Sequence, residues 1–506
     1  MKMIVWKIRR WVWDTISILI FSKKKVSPIP LPPKRRWRLN AIPISRCIPD
    51  IKIDNVLMAD DIPRDEFDRI MNIVFRFRLF LFKVFGPMQA GLPEIDADIH
   101  KAMLDGYSKR YRSLLPAPEM PAEFDGPDAM DLGRLAVASP YACFLECDAD
   151  GIYHWDFRDL EGHEVHDGLY HLGCRVLFEV RDRKLVATLI ECELGDIRPE
   201  DDQWPLARSI ALASASNQIS LVQHFNFVHL ACGGPLAIAT RNELDHDHAI
   251  CRLIWPHMYA TQNSNYLVTR LQLVKGGSFE TMFSFTHQGL WKLYSDTYHS
   301  YRSSVIVPEL DWVDRNLPKD EFDTPVQDNV EALFDVMHAH ALRYVMAYYD
   351  SDAALKADPQ VMAWISALNR MMPNGVDRIL GPDVTRAGLA RLLGGFIHMA
   401  SVQHEALGAY LWDYQLWMDR NPVQVRKDGK RMPLDVFQKV INGNFNLNVN
   451  RVRLMQDFSY LAVDQKGIAL FWQFEQELRA LELQLKELPH ETWRILPSRL
   501  DANINA

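Results

Sequence analysis

From residue 204 onward the apolar positions recur at helical spacing, and that period sets the expected architecture. The stretch LARSIALASASNQISLVQHFNFVHLAC, residues 206–232, is Ala-rich and apolar throughout, and Gly233-Gly234-Pro235 is read as its stop. Later helical blocks are expected over 327–350, 359–372, 385–418 and 464–488, the last ending before Pro489. Ahead of them, 134–195 alternates instead. Arg175–Val180 and Leu185–Leu194 flank the turn Arg181–Lys184 as a β-hairpin would. The tail WRILPSRLDANINA, residues 493–506, has no helical period and is apolar enough to thread into a core. The pattern predicts a mainly α fold with a small β-hairpin or sheet region near 134–195. Residues 61–506 read as one continuous domain without repeats or low-complexity breaks, preceded by a distinct segment, 1–60.

That leading segment is basic and Pro-rich. The run MKMIVWKIRRWVWDTISILIF places Lys2, Lys7, Arg9, Arg10, Asp14 and Ser17 on roughly one side of a helix, with aromatics and Ile elsewhere. The run Trp11–Phe21 is too short to span a bilayer and is broken by Asp14, and Lys23–Lys25 follow it where a cleavage site would stand. Two readings stay open: a helix lying in an anionic membrane interface, with peripheral contact through 1–38, or a basic leader that packs on its own protein. The stretch SPIPLPPKRRWR is expected to be extended, because proline at this density cannot be helical.

Composition narrows the class. With 48% hydrophobic and 24% charged residues in a chain of 506, a large soluble core is expected. The net charge of −8 conceals an asymmetry: residues 1–38 hold eleven Lys or Arg against one acid, a net +10, so the remainder carries −18. An acidic body argues against nucleic acid as the partner. Seven cysteines without a CxxC pair read as reduced thiols of a cytoplasmic protein, and a monomer is expected. No GxSxG elbow, P-loop or GxGxxG fingerprint occurs.

The chemistry points to histidine. His224 and His229 lie in the middle of the greasy 206–232 helix, where an imidazole is costly unless it finds a partner. Five residues apart, they would point about 140° away from each other in a regular α-helix. A π-type turn would bring both rings to one side, and such turns often mark functional sites. On this pair alone, two separately hydrogen-bonded core histidines remain the plainer reading. His163, His166 and His171 sit in an acidic stretch and are expected on a solvated surface; His246/His248 and His338/His340 are i,i+2 pairs that point apart on a helix.

The order of motifs over a longer span resembles the lipoxygenase family. His224-Phe-Asn-Phe-Val-His229, Pro235-Leu-Ala-Ile-Ala-Thr240, His248 and Trp255-Pro256-His257 are similar to its central signature, with one extra residue before Pro235. Trp204-Pro-Leu-Ala-Arg208, Asn263-Ser-Asn265-Tyr-Leu267, Leu273-Val-Lys-Gly276-Gly277-Ser-Phe-Glu280, Pro325-Val-Gln-Asp-Asn329 and Tyr344-Val-Met-Ala-Tyr348-Tyr349 continue the likeness, which runs from about 150 to the C-terminus with a fainter trace from about 64. The resemblance implies a large helical catalytic domain holding a non-heme iron. It implies as ligands His224, His229, the His404 of Val402-Gln403-His404, and the free carboxylate of Ala506, with His248 and His257 in supporting roles. His398 is read as a core residue facing elsewhere. The implied reaction abstracts hydrogen from a polyunsaturated, fatty-acid-like lipid and adds O2 to give a hydroperoxide.

Four positions depart from the family pattern. Gly408, four residues after His404 and on the same helical side, leaves a coordinating side-chain position vacant; Ser220 stands for a glutamine, Val268 for a small stereocontrol residue, and Gln272 for an apolar substrate clamp. These changes keep two further readings in play: the same fold with altered chemistry, such as hydroperoxide isomerisation or oxidation of a biosynthetic intermediate, and a metal-poor lipid-binding relative.

Overall fold

The computed structural model describes residues 2–21, 28–34, 37–66, 77, 101, 103–104, 120–124, 130–408, 413–433, 436–437, 439–441, 452–489 and 492–504. The architecture is mainly helical, with a small antiparallel sheet set ahead of the helices that carry the site.

The strand-like region forms five antiparallel strands in sequential order: β3 (Glu146–Cys147), β4 (Tyr153–Asp156), β5 (Arg175–Arg181), β6 (Lys184–Cys192) and β7 (Gly195–Ile197). The expected hairpin is its centre. Its two-residue turn places Asp182 at φ 49 and Arg183 at φ 60, the paired left-handed geometry that matches strand twist. Val176 and Phe178 of β5 face inward, as do Leu185, Ala187 and Ile190 of β6. The slip from 187 to 190 follows from a register shift at Leu177/Phe178, where one extra residue of β6 is accommodated. A separate pair, β1 (Ala41–Pro43) with β2 (Leu57–Ala59), ties the 41–59 segment together. Ile29, Ile44, Ile51 and Val56 are buried in the same apolar core as the helices. Residues 28–33 are extended, as their prolines dictate, and lie against the body: Pro30 O accepts from Trp255 Nε1.

Helix formation begins at Trp204, with Pro205 in the first turn where its missing N–H costs nothing. Gly233-Gly234-Pro235 does not stop this helix, contrary to the expectation from composition. The chain runs α-helical over Trp204–Asn217, π-wound over Gln218–Gly233 and α-helical again over Gly234–Glu243. Both glycines keep right-handed helical angles, and Pro235 falls in the first turn of the last segment, so none of the three ends the helix. The expected block 385–418 is also revised. It is α-helical over Arg386–His398, π-wound over Met399–Gln403, and resumes over His404–Leu407, with Gly408 leaving helical geometry at φ −107, ψ −93.

The remaining blocks fall close to the expected spans, at Pro325–Tyr348, Pro359–Met371 and Gln465–Glu487. Gln465–Glu487 buries Phe471, Phe474, Leu478, Leu481 and Leu485, a 3-4-3-4 seam that lies on Pro325–Tyr348. Truncating a seam residue such as Leu478, fully buried, removes roughly 2–5 kcal/mol of stability. Helix Arg386–His398 is buried nearly all round, as befits the centre of a large domain.

Candidate metal centre

The two π-wound segments meet face to face. π-winding fits five residues into about one turn, so His224 and His229, which a regular helix would point apart, turn to one side. Their ring centroids lie 5.0 Å apart. His404 is the first residue of the α-helical turn that follows the second segment, with its ring 4.8 Å from His224 and 5.2 Å from His229. One nitrogen from each of the three rings lies within 4.8 Å of the others, and all three residues are buried. This is the only group of metal-binding side chains of that kind among the described residues.

The partners of the outer nitrogens decide the ring states. Nδ1 of His229 lies 3.0 Å from Asn265 Oδ1, and Asn265 Nδ2 donates back to the His229 carbonyl at 3.0 Å. This reciprocal clamp puts the proton on Nδ1 and leaves Nε2 with its lone pair facing inward. Glu405, only 1% exposed, brings Oε1 to 3.4 Å from His404 Nδ1, a charge proximity without a hydrogen bond to that nitrogen. The two Nε2 atoms then face each other at 3.3 Å. Nε2 of His224 is buried and has no hydrogen-bond partner. Burial, reinforced by His404 and His229, holds the His224 pKa well below its ordinary value; burial first and then His404 push His229 down to about 3. Inward lone pairs at this separation repel one another unless a cation stands between them. The three residues therefore fit a metal ion, and neutral imidazoles suit a borderline transition metal such as iron or manganese.

Gly408 faces this centre. A Cβ there would lie 3.1 Å from His224 Cε1, 3.4 Å from its Nε2 and 2.8 Å from the His404 carbonyl oxygen. The position is thus at the metal side, as its spacing predicts, and offers no donor atom. Ala506 lies outside the described residues. The tail leading to it threads into the core: the Ala502 carbonyl lies 2.7 Å from His257 Nδ1, and a side chain at Gly233 would collide with Ile504. Burial pushes the His257 pKa down to about 4, so it serves as a neutral hydrogen-bonding post for the tail. His248 caps the helix Ala249–Met258, its Nδ1 accepting from Ile250 N, with Nε2 3.0 Å from Asp358 Oδ2.

Ser220 accepts from Gln415 Nε2 at 3.0 Å, so the first π segment is tied to the chain beyond the second. Val268 and Gln272 follow Asn265 on and just after the helix Thr261–Leu271; Val268 is buried and Gln272 half-buried. His398 is a core residue hydrogen-bonded through Nδ1 to the Ile306 carbonyl, as read from the sequence. The 163–171 group corrects another expectation. His163 is buried between the Leu160 carbonyl and Asp296, and His166 Nε2 contacts the Glu280 carbonyl, because the helix Ser278–Met282 and Phe285 after it lie against this stretch; only His171 is exposed. Asn265 and Glu405 are the site residues that motif reading overlooked. The signal for Glu405 was an acid directly beside a histidine in an otherwise apolar helix. A cavity of about 100 Å³ lies behind the centre, walled by Val137, Val305, Trp312, Gln223, Gln403 and Leu407 among others, and none of the three imidazoles lines it.

Comparison with known proteins agrees with this geometry. The lipoxygenase family model matches residues 193–442, which include all three histidines. The chain carries a lipoxygenase-family domain. The manganese lipoxygenase of Pleurotus sapidus is 24% identical over 236 residues, covering 44% of this chain and 35% of that protein. The seed linoleate 9S-lipoxygenase-3 of Pisum sativum is 30% identical over 182 residues, 33% of this chain and 20% of that one. The chain thus spans a fifth to about a third of these curated relatives. Among solved structures, a calcium-dependent 11R-lipoxygenase superposes with a TM-score of 0.74 at 16% identity, over 92% of this chain and 78% of its own. A lipoxygenase in complex with arachidonate gives 0.73 at 16% identity, over 92% and 79%. At such identity the likeness speaks for the lipoxygenase fold.

Proposed function

We propose that the chain is a metal-dependent dioxygenase, with iron held by His224, His229 and His404, acting on a polyunsaturated, fatty-acid-like lipid. The observation that carries this reading is the convergence of three buried imidazoles, from the π-wound segment Gln218–Gly233 and the turn after Met399–Gln403, with their ligand nitrogens within 4.8 Å of one another. A redox-active ion there supplies the one-electron oxidation that loosens a hydrogen between two alkenes. The balance of the reaction is R–H + O2 → R–OOH. The residues of the chain do the rest: Asn265 fixes the tautomer and direction of His229, buried Glu405 sets a carboxylate beside His404, and the surrounding apolar core keeps the ring nitrogens dry. Buried Val268 occupies the helix that carries Asn265, where bulk would close one face to oxygen.

A second reading rests on Gly408, which sits against His224 without a donor, and on polar Gln272. Under it the same centre performs altered chemistry, such as hydroperoxide isomerisation or oxidation of a biosynthetic intermediate. Metal analysis of the purified protein, combined with oxygen uptake and conjugated-diene absorbance across a panel of unsaturated acids, separates these readings. Bound metal with oxygen uptake supports dioxygenation. Bound metal with turnover of hydroperoxides alone supports the second, and absence of metal leaves only a lipid-binding relative.

A further inference from the structure

The helix Lys2–Phe21 is turned inside out relative to an ordinary surface helix. Trp6 is the buried residue among those of this helix whose burial is described, 7% exposed, and Arg10 stacks over that ring at 5.6 Å. At 100° per residue, Lys2, Arg9 and Arg10 share the Trp6 side of the helix. The opposite side carries Ile4, Ile8 and Trp11, one turn apart in succession, with Val5 beside them. They are 63%, 57%, 61% and 45% exposed. Exposed Lys7 borders this stripe. Four large apolar side chains lie together facing outward on a helix whose Trp6 side is turned to the body, and an exposed patch of that kind marks a docking surface.

We infer that this stripe docks on the surface of an anionic lipid bilayer, the helix lying in the plane of the interface. Charge complementarity selects that occupant. Residues 1–38 carry a net +10, whereas the rest of the chain carries −18, so an anionic surface attracts this end and repels the body. A second copy of the chain would bring two basic segments together. Spanning is excluded by geometry, since no described helix is long and apolar enough to cross a membrane. An interfacial helix needs an apolar row with basic residues beside it, and Ile4, Val5, Ile8 and Trp11 bordered by exposed Lys7 supply that arrangement. The inference is independent of the reaction assigned to the metal centre.

The test is co-sedimentation of the full chain with phosphatidylcholine vesicles, with and without phosphatidylserine, at low and high salt. The expected result is binding to the phosphatidylserine vesicles that weakens with salt. The double variant Ile8→Glu, Trp11→Glu should lower that binding about a hundredfold or more, since both side chains lose their apolar burial. Lys7→Glu, which inverts one charge, should lower it about fivefold or more. Thermal unfolding and metal content should stay unchanged in both, which separates lost docking from lost folding. Failure of the parent chain to bind, equal binding to phosphatidylcholine alone, or full binding by the double variant would each overturn the inference. So would a lipid-free dimer that the double variant disperses, because the stripe would then belong to a second copy.

Discussion

Two histidine-bearing regions of this molecule differ in one respect, and the difference makes one of them a site. Helix Pro325–Tyr348 carries His338 and His340 with regular α-winding. Their rings part: His338 stacks on Phe334, and buried His340 stacks on Phe474 at 4.3 Å with neither nitrogen partnered. The π-wound segment Gln218–Gly233 carries His224 and His229, and its altered winding brings their rings together toward His404. His340 is as buried as His229, at 1% exposed each, while His338 is half-buried. Burial of an imidazole therefore marks nothing by itself; winding, and an outer partner that fixes the tautomer, mark a centre.

The largest expected effect breaks the comparison outright. His229→Ala should abolish stoichiometric metal, read by elemental analysis, whereas His340→Ala should leave metal content as it was. Equal loss in both, or retention in the first, would erase the distinction between the regions. Next comes the tautomer clamp. Asn265→Ala should weaken metal affinity about 10–100-fold by competition with a chelator, because the His229 ring loses its orientation. An unchanged affinity would show that winding alone suffices.

Gly408→Ala tests how tightly the second segment closes on the first. Its Cβ would press on the His404 carbonyl and the His224 ring, and about 1–3 kcal/mol of stability should be lost in denaturant titration. The last prediction concerns acid. His340 and His257 are neutral in the fold, with pKa values pushed down by burial to about 3 and about 4 from an ordinary 6.5. Between those limits the unfolded chain binds more protons than the folded one. Stability is therefore full above about pH 6.5 and declines as pH falls toward 3, by at most about 1.4 kcal/mol per pH unit for each such group. His340→Phe should flatten that slope in metal-free protein; an unaltered slope would assign the acid loss elsewhere.

Much of this was legible in the residues. Apolar period 3.6 located the long helices at 325–348, 359–371 and 465–487 within a few residues, and alternation located the hairpin around Asp182-Arg183. The order of histidine motifs singled out His224, His229 and His404, and their spacing of five left open a π-type winding, which the chain adopts, beside two separate core histidines on a regular helix. Other features were hidden for physical reasons. Gly-Gly-Pro ends most helices, yet a change from π to α winding absorbs it at 233–235. The Asn265 clamp and the burial of His163 beside Asp296 join residues 36 and 133 positions apart, and no local period reports such pairs.

The separations in the chain have a consequence for how the protein comes into being. His229 meets His404 across 175 residues, and His257 takes hold of the tail at Ala502 across 245. Loops of that span close late, after local helices have formed and condensed. A growing polypeptide therefore carries His224 and His229 exposed to the translation compartment long before their third partner is synthesised. Under the proposed metal-dependent reading, an ion would load only in the final consolidation of the domain, and saturating metal should accelerate recovery of native protein only in its last kinetic phase.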